Sequence, residues 1–145
     1  MKYYFDTSAL VKIYHNESGT PDVLNIYTNV ENLILISELS CVEFISTVYR
    51  KFREKELTSD TIDALVTKFK DDTASVYEIL RFTSLVTLEA EKLIQRFADE
   101  SSLKTLDSIQ FAFFCLYCEN DTVFVCSDRK FSRLVSSEGF QVLIP

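Results

Sequence analysis

Five short apolar runs alternate along the chain with longer segments patterned as helices, and that alternation constrains the fold more than any other feature. The runs are residues 2–5, Leu33-Ile34-Leu35-Ile36, Tyr77 to Phe82, Val123-Phe124-Val125-Cys126 and Phe140 to Ile144. They are apolar throughout rather than at every second position, the pattern of strands buried on both faces. Strands of that kind, separated by helices, predict an α/β protein: a three-layer α/β/α sandwich around a central parallel sheet.

The intervening segments carry helical signals. Ser8 to Tyr14 reads as a helix that ends in the polar stretch His15-Asn16-Glu17-Ser18-Gly19. Thr20-Pro21 opens a second one, to about Asn29, with proline near its first position. Ser37 starts a long helix to about Lys55, whose apolar positions Leu39, Val42, Ile45, Tyr49 and Phe52 fall close to helical spacing. Thr58 or Ser59 caps the next, Thr87 caps one carrying Ala90, Leu93, Ile94 and Phe97, and Thr105 caps one that is apolar nearly all round from Ile109 to Cys118. Such a helix belongs in a core or at a subunit contact. Asp128 to Ser136 is the last.

A chain of 145 residues suits one domain, and its 47% hydrophobic content is enough for a core. Only two Gly and two Pro occur, and neither linker nor internal repeat is visible. The strongest apolar run, Phe111 to Cys118, is far short of a membrane span. The start, Met1-Lys2-Tyr3-Tyr4-Phe5-Asp6, lacks the character of a signal peptide, so a cytoplasmic protein is expected. Cys41, Cys115, Cys118 and Cys126 lie in apolar stretches and read as free thiols. Cys115 and Cys118 form a CxxC, but with no second pair and one histidine there is no ligand set for zinc. His15, that one histidine, reads as a surface residue, and no Ser-His-Asp or Cys-His machinery can be assembled around it.

The candidate chemistry lies in carboxylates. Ligands of open α/β sheets bind beyond the carboxyl ends of the strands, where Asp6 and Asp128 stand. Each also suits the cap of the helix that follows. Glu43 and Asp107 sit among apolar neighbours on two helices. A buried carboxylate is unfavourable unless paired or protonated. A salt bridge explains either one, and the helix dipole is a further explanation for Asp107. If all four meet, their repulsion calls for a hard divalent cation that prefers oxygen ligands. The net charge of −7 argues against a basic nucleic-acid footprint, yet bound cations would place positive charge where a phosphate must sit.

The segments Tyr4-Phe5-Asp6-Thr7-Ser8-Ala9-Leu10-Val11-Lys12, Ser37-Glu38-Leu39-Ser40-Cys41-Val42-Glu43-Phe44, Leu103-Lys104-Thr105-Leu106-Asp107-Ser108-Ile109-Gln110-Phe111-Ala112 and Cys126-Ser127-Asp128-Arg129-Lys130-Phe131 resemble the PIN-domain ribonucleases, of the VapC toxin type from bacterial and archaeal toxin–antitoxin pairs. The ending from Glu138 to Pro145 is also similar to theirs, so the resemblance covers the whole chain as a single PIN domain, 1–145. It implies an endoribonuclease that uses Mg2+ or Mn2+ held by Asp6, Glu43, Asp107 and Asp128, with Asp6 and Asp107 the most direct ligands. It implies Ser8 and Ser127 as residues that orient carboxylates or water behind them. It also implies an RNA substrate, a cognate antitoxin and possible homodimers. Lys12, Arg129 and Lys130 are candidates for contact with RNA phosphates, or else solvated helix charges. The run Arg50-Lys51-Phe52-Arg53-Glu54-Lys55 reads first as cations suited to a helix end.

Two other functions stand beside this one. A non-catalytic PIN-like module binding RNA or protein has no need of four intact acids. A phosphatase with an aspartate nucleophile would want a second Asp where Ser8 stands.

Overall fold

The computed structural model describes residues 1–98 and 103–145. Five strands form one wholly parallel sheet: β1 (Lys2–Phe5), β2 (Leu33–Ser37), β3 (Tyr77–Leu80), β4 (Val123–Val125) and β5 (Val142–Leu143). Their order is β3-β2-β1-β4-β5, with β1 in the middle. The chain builds outward from β1 to one edge, then returns to β1's other side with β4. The strand order therefore reverses between β1 and β4, and a crevice opens beyond their carboxyl ends.

Helices cover both faces: α1 (Thr7–Tyr14), α2 (Thr20–Tyr27), α3 (Glu38–Arg53), α4 (Ser59–Ser75), α5 (Ser84–Arg96), α6 (Thr105–Tyr117) and α7 (Arg129–Ser137). Successive strand residues point to opposite faces, and both faces are apolar. Phe5, Ile34, Ile36, Val123 and Val125 join one core with Leu10, Phe44, Val48 and Phe69 from α1, α3 and α4. Tyr4, Leu35 and Phe124 join the other with Val86, Leu93, Phe111, Phe114 and Phe131 from α5, α6 and α7. This two-sided burial is why the strands are apolar runs and why the expected sandwich is the observed one.

Several boundaries differ from expectation. Thr87 does not cap a helix; α5 starts earlier, with Thr83 at its N-cap, because Val86 is fully buried and belongs to the helical face on the core. Thr105 is the first residue of α6 rather than its cap, since Ser108 N donates to Lys104 O and closes a turn one residue earlier. Strand β3 ends at Leu80 and not Phe82, where Phe82 N leaves the ladder to donate to Glu38 Oε2. The long helix buries a narrower stripe than its composition implied. Ser40, Phe44 and Val48 face inward at four-residue spacing, whereas Val42 is 68% exposed and Tyr49 and Phe52 are exposed too. Within α6 the run Phe111 to Phe114 lies in the core, while Leu116 and Tyr117 reach the surface.

Candidate metal centre

Asp6 follows β1 directly. Its main-chain N–H donates to Val125 O of β4 and its carbonyl accepts the first helical bonds of α1. Oδ2 accepts from the backbone N–H and the hydroxyl of Ser8, so Asp6 caps α1 as well as lining the crevice. Ser8 Oγ also accepts from Ser127 N at 3.0 Å, which ties the turn after β1 to the turn after β4. Asp128 plays the matching part on the second turn. Its Oδ1 accepts from Lys130 N at 2.8 Å and Phe131 N at 3.0 Å at the start of α7. Capping thus holds one oxygen of each acid in a fixed place, and in each case the other oxygen takes none of these bonds.

Glu43 comes in from α3 on the face that also carries Thr47 and Arg50, four and seven residues on. Its Oε2 accepts from Thr7 Oγ1 at 2.7 Å and from Gln110 Nε2 at 2.6 Å. Asp107 stands in the first turn of α6, half-buried. These four acids line one open cleft of about 420 Å³ with Ser8, Lys12 and Ser127. Among the described residues no three His, Cys, Asp or Glu side chains close up into a finished metal cage. Like charges facing one another across a cleft stay apart unless a cation draws them in.

The charges are under strain in the way such a cleft requires. Burial pushes the Asp6 carboxyl above its usual range, though the Ser8, Cys126 and Thr7 hydrogen bonds oppose it. Glu43 is likewise raised by burial and by Asp6, against its two hydrogen bonds. Asp107 is pushed up to about 6, first by burial and then by repulsion from Asp6, Asp128 and Glu43, with Lys104 acting the other way. Asp107 therefore feels all three other acids. Ser127 Oγ is buried in the cleft wall with no hydrogen-bond partner among the described residues. An all-oxygen donor set under mutual repulsion, with an unsatisfied hydroxyl beside it, fits Mg2+ or Mn2+ and does not fit zinc.

The other sequence candidates divide. Lys12 is neither solvated nor free on the surface: it is 7% exposed, and Nζ donates to Ser18 O and to Pro145 O at 3.2 Å while the side chain lines the cleft. The loop 15–19 folds back over it, which no local pattern reveals. Lys130 lines a smaller cavity that continues the cleft. Arg129 is exposed and lines neither cavity. Arg50 and Lys51, read as helix-end charges, line the cleft, with Lys51 paired to Glu17 at 2.5 Å and Glu56 at 2.8 Å. His15 is 3.9 Å from Glu56, outside the lining. Cys115 and Cys118 are free, and burial pushes each thiol up to about 12.

Sequence reasoning passed over Gln110. This amide is 1% exposed, accepts from Ser37 Oγ and Tyr4 OH through Oε1, and reaches Thr7, Ser40 and Glu43 through Nε2. The available signal was a lone amide between Ile109 and Phe111, three residues after Asp107 on the same helix face.

A doubly covered parallel sheet with an acid-lined cleft at its strand-order reversal defines a class: an α/β domain with a carboxylate-lined crevice beyond the carboxyl ends of its strands. The family follows from comparison. A model of the PIN domain matches residues 3–135, and the chain belongs to the PIN-domain family. No curated protein matches the sequence. Among solved structures, the chain is similar to the sarcin–ricin-loop-cleaving toxin VapC20 of Mycobacterium tuberculosis, with 15% identity, TM-score 0.73 and 99% of both chains covered. It is similar to VapBC2 of Rickettsia felis bound to a promoter DNA fragment, with 17% identity, TM-score 0.68 and 99% of this chain and 98% of that one covered. It is also similar to VapBC-1 of nontypeable Haemophilus influenzae, with 13% identity, TM-score 0.63 and the same coverage. Among the described residues no helix is long and apolar enough to cross a membrane.

Proposed function

We propose that this chain is a metal-dependent endoribonuclease that hydrolyses RNA phosphodiester bonds with Mg2+ or Mn2+, acting in the cytoplasm as the toxin of a toxin–antitoxin pair. One observation carries the reading. Carboxylates from four separate segments line a single cleft at the strand-order reversal of a PIN fold. Asp6, Glu43, Asp107 and Asp128 would hold the cation, which when bound supplies positive charge to the phosphate and lowers the pKa of a bound water.

The chain's own residues do the rest. Ser8 fixes the Asp6 carboxylate through its N–H and hydroxyl. Thr7 and Gln110 fix Oε2 of Glu43, which leaves Oε1 as the proton-accepting atom of a carboxyl that burial holds above its ordinary value. Asp128 is less suited to that task, since two backbone N–H groups hold its Oδ1. Ser127, whose hydroxyl has no partner among the described residues, would orient water.

A partner is supported by the outer apolar faces. Val42 and Tyr49 on α3, and Phe82, Leu85 and Leu88 in and before α5, are all exposed. Patches of this kind on a small acidic domain suit a cognate antitoxin or a second copy of the chain. The toxins resembled include two that are VapBC pairs. A non-catalytic module is disfavoured, because four repelling acids destabilise a domain that does not use them.

Purified protein with Mn2+ or Mg2+ should cut RNA, and chelation should stop it. Asp6→Asn and Asp107→Asn should each abolish cutting while the protein stays folded. Unchanged cutting by both variants would sink the mechanism.

A further inference from the structure

The acid-lined cleft continues into a second cavity of about 150 Å³, bounded at the shared edge by Asp107 and Asp128. Its floor is apolar: Leu103 from the segment entering α6, and Phe131 and Leu134 from α7. Its rim is cationic: Lys104 at the N-cap of α6 and Lys130 on α7. Lys130 and Leu134 are four residues apart and share a helix face, so charge and apolar surface are presented together.

The two lysines differ from six of the cations elsewhere on the molecule. Lys2, Lys51, Lys68, Arg81, Lys92 and Arg96 are all engaged in salt bridges with carboxylates. Lys104 and Lys130 form none among the described residues, although Asp107 and Asp128 line the same cavity. On a chain of net charge −7, two lysines without an ion pair among the described residues, beside an apolar slot, complement a ligand that joins an anion to a flat apolar ring.

We propose that this cavity is a nucleotide subsite: Leu103, Phe131 and Leu134 receive one unstacked base of the RNA, and Lys104 and Lys130 hold the phosphate attached to it. Single-stranded RNA is recognised by splaying a base onto apolar or aromatic side chains. The shared edge places that nucleotide next to the carboxylate cleft, so it adjoins the phosphate to be cut. The subsite deepens the ribonuclease reading and rests on it for its biological substrate. It selects cleavage positions through the shape of the slot, while the lysines contribute affinity that is independent of sequence.

The test uses the full chain with methyl-labelled leucines, free of metal, titrated with the four nucleoside 5′-monophosphates and with inorganic phosphate. At least one monophosphate should shift the Leu103 and Leu134 methyl signals, saturating in the millimolar range, with phosphate alone leaving them in place. Lys104→Ala and Lys130→Ala should each weaken that binding about threefold to tenfold, with an unchanged circular dichroism spectrum. Methyls unmoved by every monophosphate, or moved equally by inorganic phosphate, overturn the subsite. Methyls that respond only to a peptide carrying an acidic residue beside a leucine overturn it in favour of protein docking. Methyl shifts in a protein that cuts no RNA with Mn2+ leave the subsite standing and remove the ribonuclease reading instead.

Discussion

Gln110 Nε2 donates a 2.6 Å hydrogen bond to Glu43 Oε2, joining the two core-crossing helices behind the cleft. Four further polar contacts converge on the same amide, from Tyr4, Ser37, Ser40 and Thr7. The bond lowers the Glu43 carboxyl against the burial that raises it. Gln110→Leu would leave Glu43 with the Thr7 hydroxyl as its one side-chain donor among the described residues and remove the Oε1 acceptor shared by the buried Ser37 and Tyr4 hydroxyls. The expected outcome is a loss of about 2 kcal/mol in stability and a higher pKa for Glu43, read from its carboxyl carbon in an NMR titration. Cutting should fall further than the stability loss explains, with the pH optimum moved upward.

Asp107 has its carboxyl pushed up to about 6, so without metal it works against the fold near neutrality. Its folded pKa lies above its unfolded one, near 4. The folded state then binds more protons between those values, and stability falls as pH rises from about 4 to 6 and is flat beyond. Asp107→Asn should remove that fall and stabilise the metal-free protein at pH 7 by on the order of 1 kcal/mol, solvent screening having reduced the effect of a half-exposed group. The same substitution should abolish cutting. Denaturant unfolding at several pH values with chelator present measures the first, and an RNA assay the second.

Those two residues mark what local sequence reveals and what it does not. Asp6 and Asp128 were legible because an acid that ends an apolar strand in a parallel sheet has few places to point. Asp107 and Glu43 were legible as charges among apolar neighbours. Gln110 was not, since one amide in a helix of phenylalanines looks the same whether it faces a boundary or a network. The helix carrying Glu43 misleads in the opposite sense: Val42 and Tyr49 have the composition of a core yet face outward, because α3 buries only the stripe of Ser40, Phe44 and Val48. Lys12 depends on a loop folding back from Ser18 and on Pro145 arriving from the far end of the chain. Contacts of that kind are fixed by tertiary packing and leave no periodic signature.

Gly19 and Gly139 share a left-handed backbone, with φ of 87° and 88°, but not the same surroundings. A Cβ on Gly19 would lie 2.1 Å from the Pro145 carbonyl carbon, while one on Gly139 would meet nothing within 4 Å. Gly139→Ala should therefore cost about 1 kcal/mol, from backbone strain alone. Gly19→Ala adds a clash with main chain and should cost clearly more. It should also free Lys12 from its bond to Pro145 O, which trypsin cleavage after Lys12 or amide exchange at the chain end would reveal. Equal losses for the two alanines would mean that Pro145 does not seat against Gly19.

Asp72 is 2% exposed yet far from the cleft, on α4 facing Tyr14, Tyr27 and Lys68. Burial raises its carboxyl, but the bonds from Lys68, Tyr14 and Tyr27 outweigh that and leave it below its ordinary value. A depressed folded pKa means stability that is present above the unfolded pKa, near 4, and lost as pH falls through the folded one. This is the reverse of Asp107, and the two slopes separate on the pH axis. Asp72→Asn should lower stability at pH 7 by about 2 kcal/mol, since the ammonium and two tyrosine hydroxyls lose a charged acceptor. The deficit relative to the parent protein should shrink steadily below pH 4. A deficit that is constant from pH 7 to pH 2 would show that the carboxylate charge contributes nothing and that packing of Tyr14 and Tyr27 alone holds α4 in place.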